Sequence, residues 1–290
     1  MQITTYGDVT AFLDRVQPTL LLQETLHSLL IGIALNVQKD PGRYGSNIYM
    51  ATVDDEEELV LAAIMTPPLN LVLASVRDDD NRAAIDLLVR HILQHNWSLR
   101  GITGMGRAVD TFAATWEQLS GHTAKPDVFQ YLYELTEVIA PRPVPGRLRL
   151  AAEADVPTIG NWSEAFYAEA LPNNPALEGG DQYALRRIGR REIYVWELPD
   201  GQLTSMAAIS RSLPHTASIG LVYTPPELRG AGYASNCVAA LSQHILDSGK
   251  SSSNLFADMA NPTSNGIYQK IGYRLLGELH EYVFVSAGAQ

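Results

Sequence analysis

The feature that most constrains this 290-residue chain is a strand-like run at 219–223 that stops abruptly and leads through a glycine-rich turn into a helical pattern. Pro225 and Pro226 prevent further strand pairing, because proline lacks the backbone N–H that a sheet requires. After the turn, apolar residues recur at helical spacing: Cys237, Val238, Leu241 and Ile245. The sequence therefore predicts a β-strand, a break, and an amphipathic helix whose N-terminus leaves the glycine-rich turn.

The turn itself has the properties of an anion-binding site. The first N–H groups of a helix have no partner within the helix, and the helix dipole favours negative charge there. Gly230 and Gly232 leave those donors accessible, and Arg229 adds a cation. A dinucleotide-binding loop is the alternative, but Ser235 occupies its third glycine position, and the strand follows two hairpin-like strands instead of a βαβ unit. The residues favour a phosphate site of another kind.

Two motifs in the second half resemble those of the GNAT (GCN5-related N-acetyltransferase) family. The stretch Arg229-x-x-Gly232-x-Ala234 matches the family's R/Q-x-x-G-x-G/A loop, in the same setting between a strand and a helix. Downstream, a strand candidate precedes residues 261–273, which are similar to the family's N-x-x-S/A-x-x-x-Y-x-x-x-G-F/Y. The resemblance covers residues 148–285 and is closest to predicted acetyltransferases that carry V-Y-T-P-P-E-x-R-G-x-G-Y-A.

This resemblance implies acetyl-CoA as cosubstrate, with its pyrophosphate on the loop and its pantetheine arm in a gap where the strand separates from its neighbour at a bulge. It implies no metal. The cofactor-binding residues that it implies are Leu221, Val222, Tyr223, Arg229, Gly230, Ala231, Gly232, Tyr233, Ala234, Asn261, Ser264 and Asn265. Tyr268 is implied as the catalytic residue, close to the CoA sulfur. Each residue alone also has a structural interpretation, such as turn glycine, helix cap or core aromatic, but their order along the chain favours the functional one.

The order of elements in the first half repeats that of the second. The strand pair within 47–66 parallels that within 193–211, and the helical pattern from Ile85 parallels the one from Ala234. The sequence thus predicts an α+β protein of two tandem GNAT-like domains, each a twisted, mostly antiparallel sheet flanked by helices. The predicted parts are a degenerate N-terminal domain, a proline-rich linker and a catalytic domain: residues 1–139, 140–147 and 148–290.

The first copy lacks the residues that the cofactor would need. At the position of the glycine loop it has the acids Asp78, Asp79 and Asp80 and no glycine, and these charges repel a pyrophosphate. Trp116 stands where the second copy has Tyr268. We therefore expect the N-terminal domain not to bind CoA in this way, but to pack against the second domain and to form one wall of the acceptor pocket.

Composition limits the possible partners. A net charge of −11 without a basic run argues against nucleic acid and anionic membranes. The apolar region 18–37 is interrupted by polar side chains, so it predicts an amphipathic helix and no membrane span; without a signal-like start, we expect a cytoplasmic protein. His91 and His95 have metal-ligand spacing, but no carboxylate accompanies them, so no metal is expected. The single cysteine, Cys237, is predicted to be buried.

Acetyl transfer to an amine sets three requirements: a neutral amine, a stabilised carbonyl oxygen and a proton for the departing sulfur. Backbone N–H groups of the splayed strand at 222–224 are the candidates for the oxygen. Tyr268 is the candidate acid, because the ordinary pKa of a tyrosine, about 10, lies above that of a thiol, about 8.5. The base stays open, and its candidates are Glu164, Glu169, Glu178, Glu197, Tyr223 and a chain of water molecules.

The acceptor is expected to be a primary amine of a small molecule or a peptide, selected by the Pro-, Asn- and Gly-rich loop at 171–180. Two other classes stay open: a regulatory module that binds acyl-CoA without turnover, and a structural module that has kept only the fold. A monomer and a homodimer are both compatible with the sequence.

Overall fold

The computed structural model describes residues 1–42, 44–77, 81–172 and 178–286. They form two compact units: Met1–Tyr131 together with the segment from Gly277, and Leu132–Leu276. Each unit is α+β, with helices packed on a twisted, mostly antiparallel sheet. Within the described ranges, every helix is too short or too polar to span a bilayer.

The elements of the first unit are β1 (Gln2–Thr5), α1 (Val9–Leu20), α2 (Ser28–Lys39), β2 (Tyr49–Asp55), β3 (Glu58–Met65), β4 (Leu71–Ser75), α3 (Arg82–Gln94), β5 (Gly101–Met105), α4 (Gly106–Ser120) and the first part of β6 (Thr123–Leu135), whose residues from Leu132 belong to the second unit. The strand pair β2–β3 and the helix α3 lie where the sequence predicts them. The strands pair in the order β1-β2-β3-β4-β5, and neighbours are antiparallel except β4 and β5, which are parallel. The core between this sheet and the helices α3 and α4 buries Leu88, Phe112 and Trp116.

The predicted single helix at 18–37 is wrong. Helix α1 ends at Leu20, a short 3₁₀ turn follows, and α2 begins at Ser28. Leu22, which the predicted helix would bury, is 82% exposed. The buried residues of α1 end with Leu20 and those of α2 begin at Ser28, so two separate helices, each with its own buried face, cover this region.

The second unit repeats the arrangement of the first. Its elements are β7 (Arg147–Leu150), α5 (Val156–Ala170), α6 (Gly180–Gly189), β8 (Ile193–Glu197), β9 (Leu203–Ser212), β10 (Thr216–Tyr223), α7 (Tyr233–Asp247), β11 (Ser252–Asp258), α8 (Pro262–Lys270) and β12 (Arg274–Val285). The strand order is β7-β8-β9-β10-β11, again antiparallel except for the last pair. Helices α5 and α6 pack on this sheet and bury Ile159, Ala184 and Met206. The same strand order and directions in both units confirm the predicted repeat of the fold.

The last strand differs most from the prediction. Residues 273–276 and 281–285 each have strand character in the sequence and predict two separate strands, whereas one strand, β12, spans both. From Gly277 onward, β12 belongs to the first unit and pairs antiparallel with β5, with Leu279 opposite Met105. The compact units thus differ from the predicted domains, which place the whole C-terminal segment in the second one. A local pattern identifies a strand but not its partner, so this pairing has no sequence signal.

Candidate active site

Strand β10 stops pairing with β11 before its last residues, while its pairing with β9 continues through a register shift. Its antiparallel register with β9 shifts between Gly220 and Tyr223, and Leu221 adopts a left-handed conformation with φ at 52°. On the other side, the last residue of β10 that pairs with β11 is Ile219, opposite Leu255. A bulge bends the strand that carries it. The end of β10 beyond Ile219 therefore lies outside its register with the parallel strand β11, and residues 221–223 are the part of the strand that the resemblance implies for the cofactor.

The glycine turn connects the end of β10 to the start of α7. Gly230 and Gly232 have φ angles of 81° and 88°, a region that other residues rarely adopt. Gly232 is the N-cap of α7 and supplies no capping side chain. Within the described residues, the backbone N–H groups of 230–234 make no hydrogen bond. These donors are therefore available to an anion at a helix N-terminus.

Arg229 lies at the junction of this turn and the end of β10. Its Nε donates to the carbonyl oxygen of Thr224 at 2.9 Å, and its Nη2 lies 2.7 Å from Oε2 of Glu169. The guanidinium also stacks on Tyr223, with Cζ 5.6 Å from the ring centre. Burial raises the pKa of Tyr223, and the Glu169 carboxylate adds to this, so the tyrosine stays neutral at pH 7.

Tyr268 lies on α8, the helix that follows β11. Its side chain is 8% exposed and packs near the rings of Tyr133 and Tyr273, at centroid distances of 6.4 and 6.0 Å. Burial raises the pKa of Tyr268 well above its ordinary value, with a smaller contribution from Tyr273. The phenol is therefore protonated at neutral pH, and its hydroxyl makes no hydrogen bond with another described residue. It can donate a proton to a group placed beside it.

The turn between β11 and α8 contains the remaining predicted residues. Asn261 is the N-cap of α8, because its Oδ1 accepts from the N–H of Ser264 at 3.0 Å. Asn265 joins the two elements, since its Nδ2 donates to the carbonyls of Asp258 and Asn261, both at 2.9 Å. The Oδ1 of Asn265 is buried without a partner among the described residues. Asn265 thus retains a buried acceptor that can accept a further hydrogen bond.

Only one of the four candidate glutamate bases contacts residues of the predicted cofactor site. The other three have different partners: Glu164 accepts from the N–H of Gly180, Glu178 pairs with Arg186, and Glu197 pairs with Arg149 and Arg147. Glu169, in the last turn of α5, binds Arg229 and accepts from Oη of Tyr223 at 3.3 Å. Part of the predicted acceptor loop, residues 173–177, lies outside the described residues.

The corresponding turn of the first unit is closed by its own side chains. Asn81 precedes α3 with φ at 37°, and its Nδ2 donates to Oγ of Ser75 at 2.6 Å and to the carbonyl of Arg77 at 3.0 Å. Carboxylates of β2 and β3 bind the guanidinium of Arg77. The acids at 78–80, which the sequence analysis compared with the glycine loop, lie outside the described residues.

Two other residues of the first unit were singled out by the sequence. Trp116 is 3% exposed and stacks on Phe284 at a centroid distance of 5.3 Å, so it is a core residue. His91 Nδ1 lies 3.1 Å from Oη of Tyr49, and His95 stacks on His91. Among the residues that the structure describes, no group of His, Cys, Asp and Glu has an arrangement suited to a metal ion.

Known proteins match both the fold and the motif region. Residues 198–285 match the family described as FR47-like protein. No curated protein shows significant sequence similarity to the chain. A GCN5-related N-acetyltransferase from Sphaerobacter thermophilus is 15% identical with a TM-score of 0.61, over 97% of this chain and 94% of its own.

Two further solved structures have the same architecture over nearly their full length. A GNAT-family acetyltransferase from Colwellia psychrerythraea is 15% identical with a TM-score of 0.57, over 98% of this chain and 100% of its own. A Drosophila protein is 11% identical with a TM-score of 0.66, over 99% of both chains. The chain therefore has the GNAT fold, and its FR47-like region contains the glycine turn, both of its flanking elements and Tyr268.

Proposed function

We propose that this protein is an N-acetyltransferase that moves the acetyl group of acetyl-CoA to a primary amine of a small molecule or peptide, by direct attack within a ternary complex. One arrangement carries the proposal. The end of β10, beyond its register with β11, leads to unpaired N–H donors at the start of α7, and a protonated tyrosine lies on the helix after β11. The GNAT fold supports acyl transfer as the class of reaction.

The start of α7 binds the pyrophosphate of the cosubstrate. The N–H groups of residues 230–234 are the donors, and the helix dipole favours negative charge at this end. Arg229 supplies the cation, because it directly precedes the donor residues 230–234 in the sequence. A side chain at Gly232 would add bulk at the N-cap, where an added Cβ already meets Val144 at 3.2 Å. The two glycines therefore keep the backbone donors open to a phosphate.

The end of β10 and the turn before α8 bind the pantetheine arm. Its amides pair with residues 221–223, where β10 no longer has β11 as a partner. The buried Oδ1 of Asn265 accepts from an amide N–H of the arm, which gives this orphaned atom a partner. The cap between Asn261 and Ser264 holds the turn in the conformation that places Asn265 there.

Tyr268 acts as the acid for the departing sulfur. The phenol carries its proton at neutral pH, and the charge that develops on the sulfur as its bond to the acetyl carbon breaks draws this proton. Backbone N–H groups near 222–224, on the separated end of β10, stabilise the carbonyl oxygen. The acceptor has to be neutral when it attacks. This costs about 4.6 kcal/mol at pH 7 for a lysine-like amine with a pKa of about 10.4, but about 1.4 kcal/mol for an α-amino group.

Calorimetric titration of CoA into the full chain tests the cofactor site, and CoA release from acetyl-CoA across a panel of primary amines tests the reaction. We expect one CoA site per chain and amine-dependent release. Two sites would contradict the expectation for the first unit, and the absence of binding would overturn the proposal. Binding without release for any amine would instead favour the regulatory module that binds acyl-CoA without turnover.

A further inference from the structure

The guanidinium of Arg229, which the proposed function requires to bind a phosphate, already contacts the carboxylate of Glu169. Its Nη2 lies 2.7 Å from Oε2 of Glu169, and both side chains are 48% exposed. Exposed ion pairs are weak, because water and salt screen the charges. An anion that binds Arg229 more strongly can therefore replace the Glu169 carboxylate with little loss of free energy.

The geometry limits how Arg229 can move. Its Nε is bound by the carbonyl of Thr224, and its guanidinium lies over the ring of Tyr223. These contacts keep the cation at the end of β10, next to the N–H donors of residues 230–234. The second oxygen of Glu169 accepts from Oη of Tyr223 at 3.3 Å, so the carboxylate is held by two groups of the cofactor site.

We propose that Glu169 is an internal competitor for Arg229: the cofactor pyrophosphate and the Glu169 carboxylate compete for the same guanidinium, so that cofactor binding releases the last turn of α5. This inference rests on the proposed function and adds a regulatory contact to it. A doubly charged pyrophosphate, held also by backbone N–H groups, competes well against one half-exposed carboxylate.

The release links the cofactor loop to the acceptor side of the site. Glu169 lies in the last turn of α5, where the N–H of Leu171 makes the final helical bond, to the carbonyl of Tyr167 at 3.0 Å. The predicted acceptor loop starts at the next residues. Without its bond to Arg229, this helix end loses one of its tertiary restraints, and it frays more easily. Cofactor binding therefore loosens the described end of α5, at residues 167–172.

Titration of CoA into four variants of the full chain tests the competition. Glu169→Gln removes the competing charge, and we expect it to bind CoA about two- to five-fold more tightly at low salt, the range of an exposed ion pair. Glu227→Gln is the matched control. It removes the same charge from an exposed acid that lies two residues before Arg229. In an Arg229→Gln background, the effect of Glu169→Gln should vanish.

Four outcomes of this titration are decisive. If Glu169→Gln tightens CoA binding no more than Glu227→Gln does, or does so equally without Arg229, the competition is wrong. Weaker binding by Glu169→Gln would also overturn it, because it would mean that Glu169 helps to place the arginine. If the wild-type protein binds no CoA, the proposed function fails first, and this inference fails with it.

Hydrogen exchange supplies a readout that does not depend on affinity. In the wild-type protein, CoA should raise the exchange rate of backbone amides at 167–172. In Glu169→Gln the same amides should already exchange faster, and CoA should add little. Protection of these amides by CoA in the wild-type protein would show that the helix end tightens on binding, and this would overturn the proposed release.

Discussion

The two units have the same strand order and directions, but they differ in the turn that joins the fourth strand to the following helix. In the first unit this turn ends with Asn81, and in the second with Gly232, and both residues have a left-handed backbone. The Asn81 side chain binds Ser75 and the Arg77 carbonyl, whereas Gly232 has no side chain and makes no such bond. The same backbone conformation therefore carries a side chain that binds its own turn in the first unit and no side chain in the second.

The fourth strands differ in a second way. Strand β4 pairs with β3 in a regular register, from Ser75 opposite Leu61 to Leu71 opposite Met65. Strand β10 has a register shift, and Leu221 carries the left-handed conformation that costs an ordinary residue roughly 1–2 kcal/mol. Strain of this kind concentrates where function requires it. Both units therefore have the same architecture, but only the fourth strand of the second unit has the strained bulge among the described residues.

The first prediction exchanges the aromatic residue on the last helix of each repeat. Tyr268→Phe should lower amine-dependent CoA release by roughly 10²–10⁴-fold, because the variant has no proton for the sulfur. CoA affinity should change little. Trp116→Phe is the control in the first unit, where the indole only packs in the core, and its turnover should stay within about two-fold of wild type. Steady-state kinetics with one reactive amine measures both, and equal turnover of Tyr268→Phe and wild type would remove the assigned role.

The second prediction reverses one charge in each turn. Arg229→Glu should weaken CoA binding by roughly 10–100-fold, because a charge-assisted contact is worth about 1.5–3 kcal/mol. Arg77→Glu, at the corresponding turn of the first unit, should leave CoA affinity unchanged. Calorimetry of both variants measures the difference. A large loss in Arg77→Glu would show that the first unit has a cofactor site of its own, which would break the comparison.

The third prediction concerns the loss of stability at acidic pH. It rests on a histidine that has no counterpart at the corresponding position of the second unit. His27 precedes α2 and is buried, whereas Gly179 occupies the corresponding position before α6. Burial lowers the pKa of His27 from 6.5 to about 4, so the unfolded chain binds the proton more readily than the folded one. The stability that comes from the neutral histidine is complete above pH 6.5 and is lost as the pH falls toward 4, by up to roughly 3 kcal/mol.

Urea unfolding at pH 7.5 and pH 5 measures this effect. Wild-type protein should lose stability between the two values, and His27→Gln should lose less. The control is His244→Gln, in the second unit, where the histidine lies beside Tyr194 near the surface. An equal loss of stability in the wild type and in His27→Gln would assign the acid sensitivity to other groups.

The smallest expected effect comes from exchanging Asn81 and Gly232, the two residues with a left-handed backbone that end the compared turns. Asn81→Gly removes hydrogen bonds of the turn, and we expect a loss of about 1 kcal/mol in the free energy of unfolding, without any new CoA site. The reciprocal Gly232→Asn keeps the backbone conformation but adds a side chain beside the N–H donors. It should reduce CoA affinity and also lower the stability, because φ at 88° strains a residue with a side chain and the added Cβ meets Val144 at 3.2 Å. Denaturant unfolding and calorimetry on the two variants distinguish these outcomes.

Local sequence patterns were sufficient to predict most of the fold. Alternating and helical apolar spacing identified the hairpins and α7, and the proline pair and glycines marked the turn before α7. They failed for α1 and α2, where Leu22 continued an apolar pattern that the chain does not bury. They also gave no partner for β12, since its pairing with β5 depends on residues far apart in sequence.

The candidate site was predictable only in part, for the same reason. All residues that the resemblance implied lie in the second unit, and their roles toward acetyl-CoA stay predictions. Glu169 was one of several candidate bases, and nothing in its local sequence pointed to Arg229. Their contact depends on the end of α5 and the turn after β10 meeting in space. The charges of two residues show that they could form an ion pair, but only the tertiary structure shows which residues do.

The pairing of β12 with β5 also affects how the chain is made. Strand β5 leaves the ribosome in the first half of synthesis, whereas the residues from Gly277 that cover its free edge emerge much later. During that interval the nascent first unit has an open strand edge, which can pair with the wrong chain. The sheet of the first unit can therefore be completed only after the residues from Gly277 have been synthesised, and a chain released before them exposes the edge of β5 to other chains.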